Sequence, residues 1–381
     1  TFRGMRQSLM QTFDEIYVLD LHGNSLKKET APDGSPDENI FDIRQGVAIA
    51  MFIKLNQVSI TDTNIFHANL YGARKYKYEY LSQNQLETTN WEKTYPKTNY
   101  YFYFPTENKG ENTYVKFKNI TDIFNISTSG IKTHRDNLAY HFEKDDLLRR
   151  IEMFRDLSIP DEIIKLSFNL KETKSWKLSS NRKELSKIEN WKEYVFTCLY
   201  RPFDIRILYY NSKIIERPRY NIMQNMLKPN LGLSIGRQGK VVGQSAPWNL
   251  VFISDRMIDE NLFYRGGESF FPLYSYRNYD SNDLFSGKNE KEINISKKII
   301  SKLTDIYAFY LQPEAVMSYI YAILYSNIYR ETYAEFLEYD FPRVPFTADG
   351  ALFKQMAALG KRLVDLHLLR SPELEQPIAR F

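Results

Sequence analysis

The sequence predicts an α+β chain: the last strands of an α/β sheet, followed by a mixed α+β region that turns helical toward the C-terminus. Three observations predict it. Two continuous apolar runs, Glu15–Leu21 and Gly46–Ile53, follow a short helix-like segment. Short strand-like stretches separated by glycine-bearing turns fill the centre. From Ser296 onward, apolar residues recur at helical spacing.

Taken in order, Met5–Phe13 reads as a helix and Glu15–Leu21 (EIYVLDL) as a buried strand. His22–Asn39 is polar and rich in Gly, Pro and Asp, hence a loop. Gly46–Ile53 (GVAIAMFI) is apolar without alternation, the pattern of a strand covered on both faces. Two strands make too little sheet for a domain. Together with Thr1 in place of Met, that predicts a chain beginning inside a longer polypeptide. Residues 56–128 lack a clear period and read as a connector with short strands and a helix near Lys75–Asn84. Glu143–Asp156 is an amphipathic helix, and Pro160 opens another. Val195–Tyr210 is aromatic and β-rich, and Arg217–Leu227 reads as helical. Leu231–Ile235, Asn249–Ile253 and Ser269–Tyr274 are short strands. The helical part comprises Ser296–Tyr310, Pro313–Tyr325, Ile328–Tyr339 and Ala348–Leu369.

Composition excludes several function classes. The 381 residues carry a net charge of only +4, but the charge is unevenly placed. Between Arg201 and Lys240, eight basic residues face only Asp204 and Glu216, a local surface suited to a phosphate backbone or a solvated positive face. The single cysteine, Cys198, sits among apolar residues that disfavour a thiolate; it permits no internal disulfide and points to a reducing cytoplasm. The five histidines show no zinc-site spacing. Asp255 and Asp259, with no metal partners nearby in sequence, read as turn and cap residues. No apolar stretch is long enough for a membrane span. GxGxxG, GxxxxGK[ST] and GxSxG motifs are absent, as is the Asn-Pro-Pro or Asp-Pro-Pro motif with a following aromatic that amino-methylating enzymes use. The chain alone is therefore expected to be catalytically inactive and to hold no cofactor.

Longer segments carry a resemblance. Phe2–Leu9 (FRGMRQSL), Phe13–Asn24 (FDEIYVLDLHGN) and Phe41–Ile49 (FDIRQGVAI) resemble the later strands of the catalytic domain in type ISP restriction-modification enzymes. Gly130–Asp136 (GIKTHRD), Leu199–Arg206 (LYRPFDIR), Arg217–Tyr220 (RPRY), Ser234–Gln238 (SIGRQ), Phe252–Asp255 (FISD) and Phe271–Tyr274 (FPLY) are similar to the specificity region of the same enzymes. So are Tyr319–Tyr333 and Asp340–Pro345 (DFPRVP) in the helical part. The resemblance covers most of the chain and is weakest over 56–128. It implies residues 1–55 as the end of an adenine methyltransferase domain, 56–128 as a connector, and 129–381 as a target-recognition domain, helical from about 296. It also implies nuclease, motor and catalytic parts in the same polypeptide, S-adenosylmethionine as cofactor of the full-length enzyme, and a role in bacterial defence.

The residues themselves suggest where DNA would be held. Lys132, Thr133, His134 and Arg135 follow Gly130 in an expected loop, where donors reach a groove. Arg237 and Gln238, flanked by Gly236 and Gly239, have the chemistry to read guanine and adenine, or form an ordinary polar turn. Arg217 and Arg219 bracket Pro218 at an expected helix start and suit phosphates, with a salt bridge to Glu216 as the plainer alternative. Arg201, Asp204 and Arg206 read equally well as a structural Arg–Asp pairing.

The expected function is sequence-specific recognition of duplex DNA that directs N6-adenine methylation, and restriction in the full enzyme. A stand-alone DNA-binding or interaction subunit serving a separate methyltransferase is the alternative. Glycan binding through tyrosine-rich faces and RNA modification are more distant ones.

Overall fold

The computed structural model describes residues 2–26, 28–55, 63–96, 101–105, 110–236, 248–263, 267–277 and 290–376. These fall into two compact units, one drawn from the residues up to 105 and the other from Gly110 onward.

The first unit opens with helix α1 (Phe2–Thr12) and a four-stranded sheet in the order β2-β1-β3-β4. Its strands are β1 (Glu15–Asp20), β2 (Ala48–Ile53), β3 (Asn64–Asn69) and β4 (Glu92–Thr94). β1 runs antiparallel to β2 and parallel to β3, with Ile16 opposite both Phe52 and Ile65. Helix α2 (Arg74–Gln83) lies in the chain between β3 and the antiparallel β4 and buries Lys77 completely. Two expectations change here. The expected boundary at residue 55 does not divide the fold, because β3, α2 and β4, read from sequence as connector, complete the sheet that β1 begins. The run Gly46–Ile53, expected to be covered on both faces, is instead an edge strand with Ile49 39% and Phe52 38% exposed.

A buried ion pair ties this unit together. Lys77 Nζ lies 2.7 Å from Asp37 Oδ1 and donates to the carbonyl oxygens of Leu21 and Glu38, also at 2.7 Å. Asp37 in turn accepts from the amides of Gly23 and Gly72 at 2.5 and 2.7 Å. Every polar atom of the pair thus has a partner, the condition under which a buried charge is tolerated.

Of the small sheets in the second unit, two have more than two strands. One is the hairpin Val195–Arg201 and Asp204–Tyr209, flanked by Met257–Ile258 on one side and Tyr140–His141 on the other. The other is antiparallel, with Gly232–Gly236 between Val251–Ser254 and Glu268–Pro272; every residue of its central strand is buried. The core beneath the hairpin gathers Leu147, Ile151 and Phe154 from helix Lys144–Arg155 with Trp176, Leu185 and Tyr209. Cys198 is fully buried there, and burial pushes its thiol well up, as its apolar neighbours led us to expect.

The helical part matches its sequence reading closely. Pro313–Tyr325 has Pro313 in its first turn and packs against Gly350–His367, which is capped by the Asp349 carboxylate on the amides of Ala351 and Leu352. A Cβ on Gly360 would collide with the backbone carbonyl of Ser318, so these two helices meet at the closest approach a glycine permits. The expected helix Ile328–Tyr339 is two helices, Asn327–Thr332 and Ala334–Tyr339, broken at Tyr333. Among the described residues, no helix is long and apolar enough to cross a membrane.

Candidate nucleic-acid interface

The segment after Gly130 threads between two others. On one side the Ile131 amide donates to Ile258 and the Glu260 amide donates to Ile131, both at 2.8 Å. On the other, Lys132 and Arg217 exchange both backbone hydrogen bonds, at 3.1 and 2.9 Å. Such a pair places its two side chains on the same face. One residue further along, Thr133 and Glu216 fall on the opposite, inward face: Thr133 is 2% exposed and the Glu216 carboxylate is turned to the interior. Strand alternation thus sorts the predicted residues into outward and inward groups.

The outward group contains Lys132, His134 and Arg217. Arg217 and His134 are exposed, and His134 takes a left-handed backbone conformation (φ 58°) that lifts it from the strand. Lys132 is half-exposed and lies 3.4 Å from Glu260 Oε2, so part of its charge is met within the fold.

The inward group holds Thr133 and Arg135. The Arg135 side chain is fully buried: Nε donates to the Ile214 carbonyl at 2.6 Å, Nη2 to Glu216 at 2.9 Å, and the guanidinium stacks 4.0 Å from the Trp176 ring. Burial lowers the Arg135 pKa against the pull of Glu216. Burial also acts to raise the Glu216 carboxyl, but hydrogen bonds from Ser175 and Arg135 outweigh it and hold the group below the usual range. Thr133 donates to Asp136 and accepts from the Arg135 amide. As folded, neither Thr133 nor Arg135 faces a groove; they shape the loop that presents Lys132 and His134.

Arg219 is half-buried with φ 57° and precedes a helix of only four residues, Tyr220–Met223, continued by a 3-10 turn at Gln224–Leu227. The expected longer helix, and the phosphate-binding N-terminus it would bring, is not formed. Glu216, the alternative partner for Arg217, is engaged by Arg135 instead. Arg237 and Gln238 lie outside the described residues.

A polar chain runs from this segment into the hairpin. Asp136 accepts from Thr133 and, at 2.8 Å, from the Tyr200 hydroxyl, whose pKa burial pushes up to about 12. The Tyr200 ring lies 3.9 Å from the guanidinium of Arg201 and 3.8 Å from that of Arg206. Arg201 binds Asp259 Oδ1 at 2.9 Å; Asp259 also accepts from Tyr140 and from the amide of Asn261, and burial raises its carboxyl above the usual range. Asp259 is thus the turn-capping carboxylate its sequence suggested, with a structural arginine added. Sequence reasoning missed the Asp136–Tyr200 link because it joins residues on different elements. The density of aromatics in Val195–Tyr210 was the available signal. Among the described residues, no group of three or more His, Cys, Asp or Glu is arranged to hold a metal ion.

The fold recurs in solved structures. The chain is similar to part of LlaBIII, an ATP-dependent Type ISP restriction-modification enzyme solved bound to DNA, with 26% identity and a TM-score of 0.69 over 99% of this chain and 25% of that one. A DrdV–DNA complex solved by cryo-EM shares the fold at 22% identity and a TM-score of 0.67, over 97% of this chain and 36% of that one. A nuclease-deletion mutant of LlaGI with a DNA substrate mimic does so at 21% identity and a TM-score of 0.62, over 99% and 29%. The chain therefore spans about a quarter to a third of the length of these proteins. No curated protein sequence matches it. The family model for the Type ISP C-terminal specificity domain matches residues 122–381, so the chain belongs to that family.

Proposed function

We propose that this chain recognises a specific duplex DNA sequence and so directs N6-adenine methylation, and restriction, by catalytic, motor and nuclease parts of one polypeptide. The observation that carries the reading is the Lys132–Arg217 pair. A backbone bridge sets two cations from distant sequence segments side by side on one face, with His134 beside them. Cations paired in this way suit the spaced charges of a phosphate backbone, and they give affinity and register without reading sequence. LlaBIII, similar over nearly all of this chain, was itself solved bound to DNA, which supports a DNA-binding reading of the chain as a whole.

In this reading Lys132, Arg217 and Arg219 hold phosphates, and His134, Arg237 and Gln238 reach toward bases. Thr133 and Arg135 keep the loop in shape. The exposed apolar edge strand β2 supports a second contact, with further strands of a catalytic sheet in the same polypeptide. S-adenosylmethionine would be held by those parts, since this chain lacks the loop motifs that bind it, and alone it would not methylate. The target adenine would be flipped from the duplex at a cost of a few kcal/mol, which a grip on the flanking duplex offsets. A cytoplasmic site in a bacterial defence system fits the single buried thiol.

Titrating the chain against duplex DNA and against single-stranded RNA of equal length tests the reading. Duplex preference that weakens with salt supports it; equal or stronger RNA binding contradicts it.

A further inference from the structure

Arg206 is held unusually well for a side chain with an unused hydrogen-bonding edge. Its Nε donates to Asp204 Oδ1 at 3.0 Å and its Nη2 to Asp204 Oδ2 at 2.8 Å. Its guanidinium lies 3.8 Å from the Tyr200 ring and 4.8 Å from the Phe142 ring. These rings come from either side of the Asp204–Tyr209 strand: Tyr200 from its hairpin partner, and Phe142 from just beyond Tyr140–His141. The plane of the guanidinium and its rotation within that plane are thus both set.

An arginine fork has two hydrogen-bonding edges, Nε with Nη2 and Nη1 with Nη2. Asp204 takes the first. Nη1 makes no hydrogen bond among the described residues and is not among their buried, unpartnered polar atoms, so the second edge meets solvent. Phe142, 64% exposed, leaves an apolar surface beside it. The Tyr200 hydroxyl on Asp136, which accepts from Thr133, links this group to the segment that carries Lys132 and His134.

We propose that Arg206 is a base-reading residue, donating from Nη1 and the free hydrogen of Nη2 to the O6 and N7 of one guanine in the major groove. Asp204 acts as its positioning residue. This rests on the DNA-binding reading above. The free Nη1–Nη2 edge has the donor spacing that guanine accepts, and the Asp204 clamp and two rings meet the ordering cost before DNA arrives.

The test is selection from a random duplex pool by the wild-type chain, Arg206→Lys and Asp204→Asn, with a thermal melt of each protein. Arg206→Lys keeps the charge but loses the fork. The expected result is salt-dependent binding by all three. Discrimination at one guanine position falls about 5- to 100-fold in Arg206→Lys and by a smaller factor in Asp204→Asn, with the rest of the motif unchanged. If Arg206→Lys does not fold, Asp204→Asn alone decides. An unchanged motif in a folded variant overturns the role of Arg206 while leaving the DNA-binding reading intact. Failure of the wild-type chain to bind duplex at all overturns both.

Discussion

The backbone amide of Gly130 donates to the Glu268 carboxyl at 2.9 Å in the interior of the second unit, where Glu268 is 4% exposed. Burial raises this carboxyl to about 7, the nearby Glu260 and Asp259 add to the shift, and the Gly130 hydrogen bond opposes it. The folded state therefore binds this proton more tightly than the unfolded chain. The contribution to stability is fully present below the ordinary glutamate range near 4.5 and is lost as pH rises through 7. Glu268→Gln keeps an acceptor for Gly130 and removes the titration. Melting curves across pH 5 to 8 should show the variant gaining on the wild type as pH rises, by about 3 kcal/mol at most. A constant difference across that range would contradict the assignment.

Gly130 itself has no room for a side chain. A Cβ there would lie 2.5 Å from the Asp259 carbonyl carbon and the Glu260 nitrogen, both backbone atoms. Gly360 faces the Ser318 carbonyl in the same way. Alanine at Gly360 would gain about 1 kcal/mol of helix propensity but force two packed helices apart, which costs more. Gly360→Ala should lower stability by about 2 kcal/mol. Gly4→Ala on exposed α1, with nothing within 4 Å of its Cβ, should be neutral or stabilising in the same thermal assay.

Arg135 and Arg217 should separate folding from binding. Arg135→Ala leaves the Glu216 carboxylate without its cation and opens a gap beside Trp176. A loss of about 3 kcal/mol in denaturant unfolding is expected. Arg217→Ala removes an exposed side chain and should change stability by less than about 0.5 kcal/mol. In DNA titrations the same variant should weaken binding and reduce the slope of log affinity against log salt by about 1. A strong stability loss in Arg217→Ala, or an unchanged slope, would contradict its placement as an outward phosphate contact.

The Lys77–Asp37 pair predicts an asymmetry in the first unit. Removing one partner, as in Lys77→Ala, strands a buried carboxylate and should cost about 3 to 5 kcal/mol. Replacing both together, as in Lys77→Met with Asp37→Asn, should cost measurably less than the sum of the two single changes. Additive losses in a double-mutant cycle would show that the two side chains act independently.

How much of this was legible in the sequence depended on how local each feature is. The helix Pro313–Tyr325 was read with its observed bounds, because Pro313 marks its start and its apolar residues recur at helical spacing. β1 was equally clear from EIYVLD. β3 was not, since Asn64–Asn69 (NIFHAN) mixes polar ends with a short apolar middle and gains its place only by pairing with β1. β2 was read as a strand, but its exposure depends on what lies beside it. At the candidate interface, the run Lys132–Arg135 was read as one loop of groove-facing donors. Its division into outward and inward residues follows from pairing with Glu216 and Arg217, a long-range register that no local pattern encodes. The same limit hid the burial of Arg135 and the stacking of Arg206 against Tyr200 and Phe142, whereas its pairing with Asp204, two residues away, was among the sequence readings.

The central claim is sequence-specific duplex recognition, and selection from a random duplex DNA pool at two salt concentrations tests it most directly. We expect an enriched asymmetric motif whose binding weakens as salt rises, with Arg217→Ala selecting the same motif more weakly. Binding that enriches no motif would contradict a sequence-reading role, and no duplex binding at low salt would contradict DNA recognition by this chain altogether.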